Sequence, residues 1–210
     1  VLSRPALVGS QLVIKGVVDL SGAVAGLIVL SPILLAVSLA VRLTSRGPVL
    51  FRQVRVGLGG DPFVMFKFRT MVDDAERQQA ELEQSNVYSR EPLFKLPNDP
   101  RMTPIGLFLR KSSLDELPQL LNVLRGEMSL VGPRPALPSE VRRYQQHHFV
   151  RFEVLPGITG PWQVSGRNAI TSFEDVVQLE SAYIRGWTVW RDLAILARTV
   201  PAVLSMKGAF

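Results

Sequence analysis

The feature that most constrains this chain is an uncharged apolar run at residues 20–41. As an α-helix the run would be about 33 Å long, which matches the roughly 30 Å hydrocarbon core of a bilayer. A secretory signal peptide fits poorly, because the run is too long and has no small-residue cleavage site before the polar part. The run therefore predicts a membrane-inserted helix, and a buried core hairpin of a soluble protein is the alternative.

The pair Ser31-Pro32 lies in the middle of this run. Proline removes a backbone donor and clashes with the preceding turn, and in lipid the freed carbonyl needs a partner such as the Ser31 hydroxyl. Two geometries remain open: a kinked helix that crosses the bilayer, or a helix-break-helix that returns to the side it entered. Basic flanks favour the cytoplasmic side, so basic residues at both ends favour the re-entrant geometry. These flanking residues are Arg4, Lys15, Arg42 and Arg46.

Charge is distributed unevenly along the chain. There are 24 Lys and Arg against 18 Asp and Glu, and most of the excess falls within residues 1–55. A nucleic-acid-binding protein would carry a basic stripe on its globular part, whereas residues 56–210 are nearly neutral, so that class is excluded. With no cysteine and 2 histidines, thiolate metal centres and multi-histidine sites are excluded as well.

The rest of the chain predicts a small α/β body. A Gly-rich segment at residues 57–62 is predicted to close a hairpin. A phosphate-cradling loop is the weaker alternative, because no Walker spacing or following helix is present. The predicted strands cover residues 49–56, 63–69 and 128–131, and the predicted helices cover residues 172–185 and 187–206. The last helix is amphipathic, with Trp187, Trp190 and Arg191 suited to a membrane interface.

Two adjacent acids, Asp115 and Glu116, precede a leucine pattern typical of a helix buried on one side. Ser113 and Glu116 have capping-box spacing, and both acids fall in a first turn, where orphan amides and the helix dipole favour anions. The pattern alone therefore favours ordinary helix-start chemistry, with a catalytic role as the alternative. The leucines of the pattern are Leu117, Leu120, Leu121 and Leu124.

Arg134 stands between Pro133 and Pro135. Flanking prolines restrict its backbone at little entropic cost, which suits a bidentate grip on phosphate. A surface turn explains the same residues equally well.

Six short blocks, in this order, resemble the bacterial sugar transferase family. They are residues 51–53 (FRQ), 67–71 (KFRTM), 109–122 (LRKSSLDELPQLLN), 128–135 (MSLVGPRP), 156–160 (PGITG) and 166–168 (GRN). The resemblance runs from about Lys15 to the C-terminus, and the Asp-Glu and Pro-Arg-Pro blocks are highly specific together. Members of this family are monotopic phosphoglycosyl transferases that start glycoconjugate assembly on undecaprenyl phosphate.

The resemblance implies a two-step reaction. Asp115 attacks the sugar-linked phosphorus of a nucleotide sugar, usually a UDP-sugar, and undecaprenyl phosphate then takes the sugar phosphate from the aspartate. Glu116 assists as a metal or proton-handling partner, and Asp115 and Glu116 would hold Mg²⁺. Direct attack by the lipid phosphate, without a covalent step, and a non-catalytic membrane-associated binding module are the alternatives.

The resemblance also implies the remaining expectations. Substrate would be bound by Lys67, Arg69, Arg110, Arg134, Arg167 and Asp192. The expected fold is α/β: a small mixed soluble catalytic domain with an N-terminal re-entrant membrane helix and interfacial amphipathic helices. Residues 1–48 would form the membrane-inserted helix-break-helix, and residues 49–210 the cytoplasmic catalytic domain. The expected location is the bacterial inner membrane, where the protein would begin exopolysaccharide, O-antigen or capsule synthesis. The expected partners are a nucleotide sugar, undecaprenyl phosphate and the phospholipid bilayer, with no nucleic acid and the oligomeric state left open.

Overall fold

The computed structural model describes residues 9–72, 75, 99–166, 170 and 172–204. These residues form a mixed helix and sheet structure, as expected from the sequence. The helices are α1 (Ser10–Thr44), α2 (Pro104–Lys111), α3 (Leu120–Leu124), α4 (Pro138–Val141), α5 (Pro161–Val164), α6 (Phe173–Arg185) and α7 (Val189–Leu204). The strands are β1 (Leu50–Val56), β2 (Pro62–Phe68), β3 (Ser129–Val131) and β4 (Gly157–Thr159). Short 3₁₀ segments cover Leu58–Gly60, Leu114–Gln119 and Gln146–Phe152.

Helix α1 is long and apolar enough to cross a membrane, by length and composition alone. It has 35 residues, and helical structure continues through Pro32. Proline at position 32 leaves the carbonyl of Ile28 without its usual backbone donor, and the Ser31 hydroxyl donates to that carbonyl at 2.8 Å. The interruption expected at Ser31-Pro32 is thus not a gap in the helix, because the serine replaces the missing donor as predicted.

One narrow face of α1 packs on the rest of the protein along nearly its whole length. Lys15, Asp19 and Ala23 are buried near its start, and Val37 and Val41 are buried near its end. Its other sides expose large apolar side chains, which are favourable in lipid and costly in water. The exposed set is Leu12, Val13, Ile14, Val17, Leu20, Val24, Ile28, Val29, Ile33, Leu35, Leu39 and Leu43.

Strands β1 and β2 form an antiparallel hairpin in which Leu50 pairs with Phe68 and Val56 with Pro62. The turn is closed by the Gly57 N–H, which donates to the Asp61 carbonyl at 2.8 Å. Inside it, Gly59 and Gly60 have φ of 68° and 90°, a region that non-glycine residues rarely adopt. The hairpin prediction is therefore confirmed over the phosphate-loop alternative.

A second, parallel sheet joins β3 to β4, with Val131 opposite Thr159. The adjoining backbones approach so closely that a Cβ at Gly157 would lie 2.1 Å from the backbone nitrogen of Gly132. Helices α6 and α7 cover this sheet through a buried apolar cluster. Its fully buried members are Val131, Val154, Tyr183, Ile184, Trp187 and Ile195.

Helix α7 has the amphipathic character that the sequence predicts. Trp190 is 75% exposed, and Leu193 and Val200 are exposed as well. The interfacial role predicted for Trp187 is wrong, because Trp187 is only 7% exposed and its Nε1 donates to the Asp192 carboxylate at 3.0 Å.

Candidate active site

Asp115 lies in the 3₁₀ segment Leu114–Gln119, between α2 and α3. Pro118 inside this segment cannot donate a backbone hydrogen bond, and regular α-helix begins only at Leu120. The capping box predicted for Ser113 is wrong: Ser113 has φ of 54°, and its side chain makes no capping hydrogen bond. A left-handed serine two residues before Asp115 fixes the path of the chain into the acidic pair.

The leucine pattern that predicted this helix is only partly buried. Leu120 is buried, but Leu121 and Leu124 are each 37% exposed. The buried positions of α3 are Leu120, Asn122 and Val123, because the 3₁₀ start rotates the segment relative to one continuous α-helix.

The Asp115 side chain is a buried carboxylate with weak charge compensation. Asp115 is only 6% exposed, and burial raises its pKa to about 6, with the negative charge of Glu116 adding to the effect. Lys67 and Arg110 act in the opposite direction. Among the described residues, no cation lies within ion-pair distance of this carboxylate.

Glu116 is held by a lysine from the hairpin. The Lys67 Nζ on β2 lies 3.0 Å from the Glu116 Oε1, and both side chains are partly exposed. Arg110, on the last turn of α2, donates from Nε to the Thr70 Oγ1 at 3.2 Å. Lys67 and Arg110 therefore stand beside the acidic pair, as the family resemblance implies.

Asn122 fixes the hairpin against α3, a role that the sequence did not reveal. Its Oδ1 accepts the Phe66 N–H at 3.0 Å, and its Nδ2 donates to the Val64 carbonyl at 2.7 Å and to Glu127 at 2.7 Å. One buried amide thus sets the register between Lys67 and the acidic pair. Its position within the LLN block gave no indication that it reaches β2.

Arg69 lies at the end of β2, next to the end of α1. It is 5% exposed, and its Nη2 donates to the backbone oxygen and the hydroxyl of Ser45 at 2.9 and 2.8 Å. Its Nε and Nη1 are buried and have no hydrogen-bond partner in the part of the chain that the structure describes.

Arg134 is anchored by two acids. Its backbone N–H donates to Glu180 at 3.1 Å, and its guanidinium pairs with Glu140 at 3.2 Å. Although burial opposes the charge, Glu140 raises the pKa of Arg134, so the side chain is a fixed cation rather than part of a solvated turn. A second arginine lies beside this loop: Arg55 donates to the Pro135 carbonyl at 3.0 Å. Sequence reasoning missed Arg55, because a basic residue in an alternating strand carries no distinctive signal.

The Asp192 carboxylate is occupied by groups of the protein itself. It accepts hydrogen bonds from the Lys15 Nζ at 2.8 Å, the Tyr183 hydroxyl at 2.6 Å and the Trp187 indole at 3.0 Å. These contacts join α1 to the end of α6 and to α7. The structure therefore gives Asp192 a positioning role and does not test its predicted contact with substrate. The predicted site residue Arg167 lies outside the described residues, as does the flanking residue Arg4.

The acidic pair fits a hard divalent cation. Mg²⁺ in phosphoryl-transfer sites uses one or two carboxylates and completes its coordination with substrate phosphates and water. Asp115, whose raised pKa reflects burial without an ion-pair partner, meets that requirement, and a cation beside it would favour the ionised form. Among the described residues, only His147, His148 and Glu174 bring three metal-binding groups together. There, however, the His148 Nδ1 accepts the Gln145 N–H at 3.0 Å, which places the proton of the neutral ring on Nε2, where a metal would need a lone pair.

Comparisons with known proteins agree with this arrangement. The family model described as bacterial sugar transferase matches residues 10–206. A galactosyl transferase, CpsE, of Streptococcus agalactiae is 43% identical over 200 residues, covering 95% of this chain and 44% of that protein. An undecaprenyl-phosphate galactose phosphotransferase of Salmonella typhimurium is 46% identical over 167 residues, covering 78% of this chain and 35% of that protein. The exopolysaccharide production protein ExoY of Sinorhizobium fredii is 40% identical over 195 residues, covering 91% and 86%.

The chain thus spans less than half the length of the first two of these relatives and most of the length of the third. The match extends over nearly all described residues, including the acidic pair, Lys67, Arg110 and Arg134. This chain belongs to the bacterial sugar transferase family.

Proposed function

We propose that the protein transfers a sugar-1-phosphate from a UDP-sugar to undecaprenyl phosphate, and so begins the membrane stage of exopolysaccharide synthesis. The observation that carries the proposal is Asp115: a buried carboxylate without an ion-pair partner among the described residues, next to Glu116 and two cations. A structural carboxylate in such surroundings would normally be paired. The names of the relatives, which act on undecaprenyl phosphate and on galactose, support the substrates.

The chemistry proceeds in two displacements. A carboxylate oxygen of Asp115 bonds to the sugar-linked phosphorus, while the bond from that phosphorus to the bridging oxygen breaks and UMP leaves with the electron pair. A phosphate oxygen of undecaprenyl phosphate then bonds to the same phosphorus and displaces Asp115, giving the diphosphate-linked sugar. Two steps through a carboxylate replace one difficult encounter between two anionic substrates.

Cations around the acidic pair would stabilise the charge that develops on the transferring phosphoryl group. Lys67 and Arg110 flank Asp115 and Glu116, and Arg134 is a fixed cation. Mg²⁺ held by Asp115 and Glu116 would neutralise the diphosphate when bound. Glu116, oriented by Lys67, would set the position of that ion relative to Asp115.

We also propose that α1 does not carry its two ends to opposite sides of the bilayer. The helix packs on the catalytic body at both ends: Lys15 donates to the Val131 carbonyl, and Val41 belongs to a cluster with Phe68 and Leu109. From Lys15 to Val41 a helix is about 39 Å long, which exceeds the roughly 30 Å hydrocarbon core. Crossing would therefore carry part of the polar body through lipid. A helix that enters and stays on the cytoplasmic face avoids this cost.

The decisive experiment traps the covalent species. Purified protein receives Mg²⁺ and either UDP-galactose or UDP-glucose labelled in the sugar phosphate, with acceptor lipid withheld. We expect label on the wild type that moves to lipid when undecaprenyl phosphate is added. Asp115→Asn should carry no label, and Asp61→Asn, which changes an exposed turn carboxylate, should label normally. Lipid product without protein label would establish direct attack, and no product from any UDP-sugar tested would favour a binding module.

A further inference from the structure

The two unpaired guanidinium nitrogens of Arg69 are an unusual feature of this fold. Buried polar groups are nearly always hydrogen-bonded, and an unpaired donor is more costly when it carries charge. Arg69 is buried, yet Nε and Nη1 find no acceptor, and no carboxylate pairs with it, in the described part of the chain. Its partner Ser45 supplies neutral oxygens at the negative end of the α1 dipole, which offset only part of the charge.

Arg69 connects the catalytic strand to the end of the membrane helix. Its N–H donates to the Val49 carbonyl at 3.0 Å, so it continues the ladder of the hairpin beyond Phe68. It follows Lys67 by two positions, the spacing that puts side chains on one side of an extended chain. The next residue, Thr70, accepts the hydrogen bond of Arg110. The cationic groups around Asp115 therefore continue through Arg69 toward the end of α1.

We infer that Arg69 binds the phosphate of the lipid acceptor; the inference rests on the proposed function and assigns this subsite to the second substrate. A buried cation without a counter-ion requires an anion rather than a neutral group. The anion must reach Arg69 beside the last turn of α1, where Leu39 and Leu43 are exposed apolar side chains. A phosphate attached to a polyprenyl chain meets both conditions, since its chain stays in lipid while its head reaches the protein. The donor's nucleotide has no apolar chain to place there.

Direct binding of undecaprenyl phosphate tests this assignment without any chemistry. The dissociation constant is measured in nanodiscs, with no donor present, for wild type, Arg69→Lys, Arg69→Gln and Arg46→Gln. Lysine retains the charge but loses the planar guanidinium, so both Arg69 variants should bind about ten- to a hundredfold more weakly. Arg46 is exposed near the same helix end, and its variant should bind within about twofold of wild type. Unchanged binding by Arg69→Gln would overturn the inference.

Two further measurements separate the other readings. In the labelling reaction without acceptor, Arg69→Lys should reach a wild-type KM for the UDP-sugar, and a raised donor KM would instead assign Arg69 to the nucleotide. If Arg69 only fixes the end of α1, then Ser45→Ala should lose melting temperature and acceptor affinity along with it, which also overturns the inference. Weaker binding of Arg69→Gln to phosphatidylglycerol vesicles, with unchanged acceptor affinity, would assign the site to phospholipid headgroups. A wild type that binds the acceptor but carries no label would count against the proposed covalent function and leave the Arg69 result intact.

Discussion

Replacing Asp115 with asparagine should stabilise the protein at neutral and alkaline pH while it removes activity. Burial raises the pKa of Asp115 from 3.8 to about 6. Because the folded-state pKa lies above the unfolded one, ionisation costs stability: the cost is absent below about pH 3.8 and complete above about pH 6. At 1.36 kcal/mol per pKa unit, the cost is about 1 kcal/mol at pH 4.5 and about 3 kcal/mol at pH 8.

Thermal unfolding of the detergent-solubilised protein, with EDTA present, measures this difference. For a chain of this size 1 kcal/mol corresponds to roughly 2–4 °C in Tm. Asp115→Asn should therefore melt about 6–12 °C above wild type at pH 8 and about 2–4 °C above it at pH 4.5. An equal difference at the two pH values, or a lower Tm for the variant at pH 8, would refute the argument from burial.

Asp99 provides a matched control with the opposite sign. Burial disfavours its charge, but hydrogen bonds from Arg101 outweigh burial and lower the pKa of Asp99. A lowered folded-state pKa adds stability above the unfolded value that is lost as the pH falls. Asp99→Asn should consequently lower Tm, and by more at pH 8 than at pH 4.5. Mg²⁺ added at pH 8 should raise the Tm of wild type but not that of Asp115→Asn, and an equal response would exclude Asp115 as a ligand.

Two further predictions concern residues that position the site. Asp192→Asn should lower Tm by about 6–20 °C, because breaking a buried ion pair costs about 3–5 kcal/mol; a raised donor KM with unchanged Tm would instead support the substrate contact that the sequence suggested. Ser113→Gly should leave Tm nearly unchanged, since relief of the left-handed strain is offset by extra freedom in the unfolded chain. Ser113→Val should lower both Tm and the labelling rate, because a β-branched residue tolerates that conformation poorly, and equal behaviour of the two variants would argue against strain at this position.

The hairpin was predictable from the sequence because its signals are local. Strand alternation and the glycines at positions 59 and 60 fix it within a short segment, and the structure agrees. The repair at Ser31-Pro32 was predictable for the same reason, since the freed carbonyl lies one turn away. The capping box failed because Ser113 adopts a left-handed conformation that spacing alone does not reveal.

The long-range polar contacts could not be predicted from spacing. Lys15 was interpreted as a basic flank that holds the membrane helix to the cytoplasmic side. In the structure it is buried between Asp19 and Asp192, at 3.7 and 2.8 Å, and its charge is neutralised inside the protein. Its partner Asp192 is 177 positions away in the sequence, so no pattern within α1 could reveal the pair. The same holds for Asn122 and the strand it fixes.

The packing of α1 explains why this family's chemistry belongs with a membrane helix rather than with a simple anchor. Leu114, which directly precedes Asp115, packs with Leu34, Val37 and Val41 of α1 and with Leu109 of α2. At the other end, Leu27 and Leu30 pack on the cluster that contains Met65 of β2 and Leu120 of α3. The segments that carry Asp115 and Lys67 therefore rest on α1 itself. Any shift of α1 in the bilayer must pass directly to the acidic pair, so lipid position and catalytic geometry are mechanically coupled in this fold.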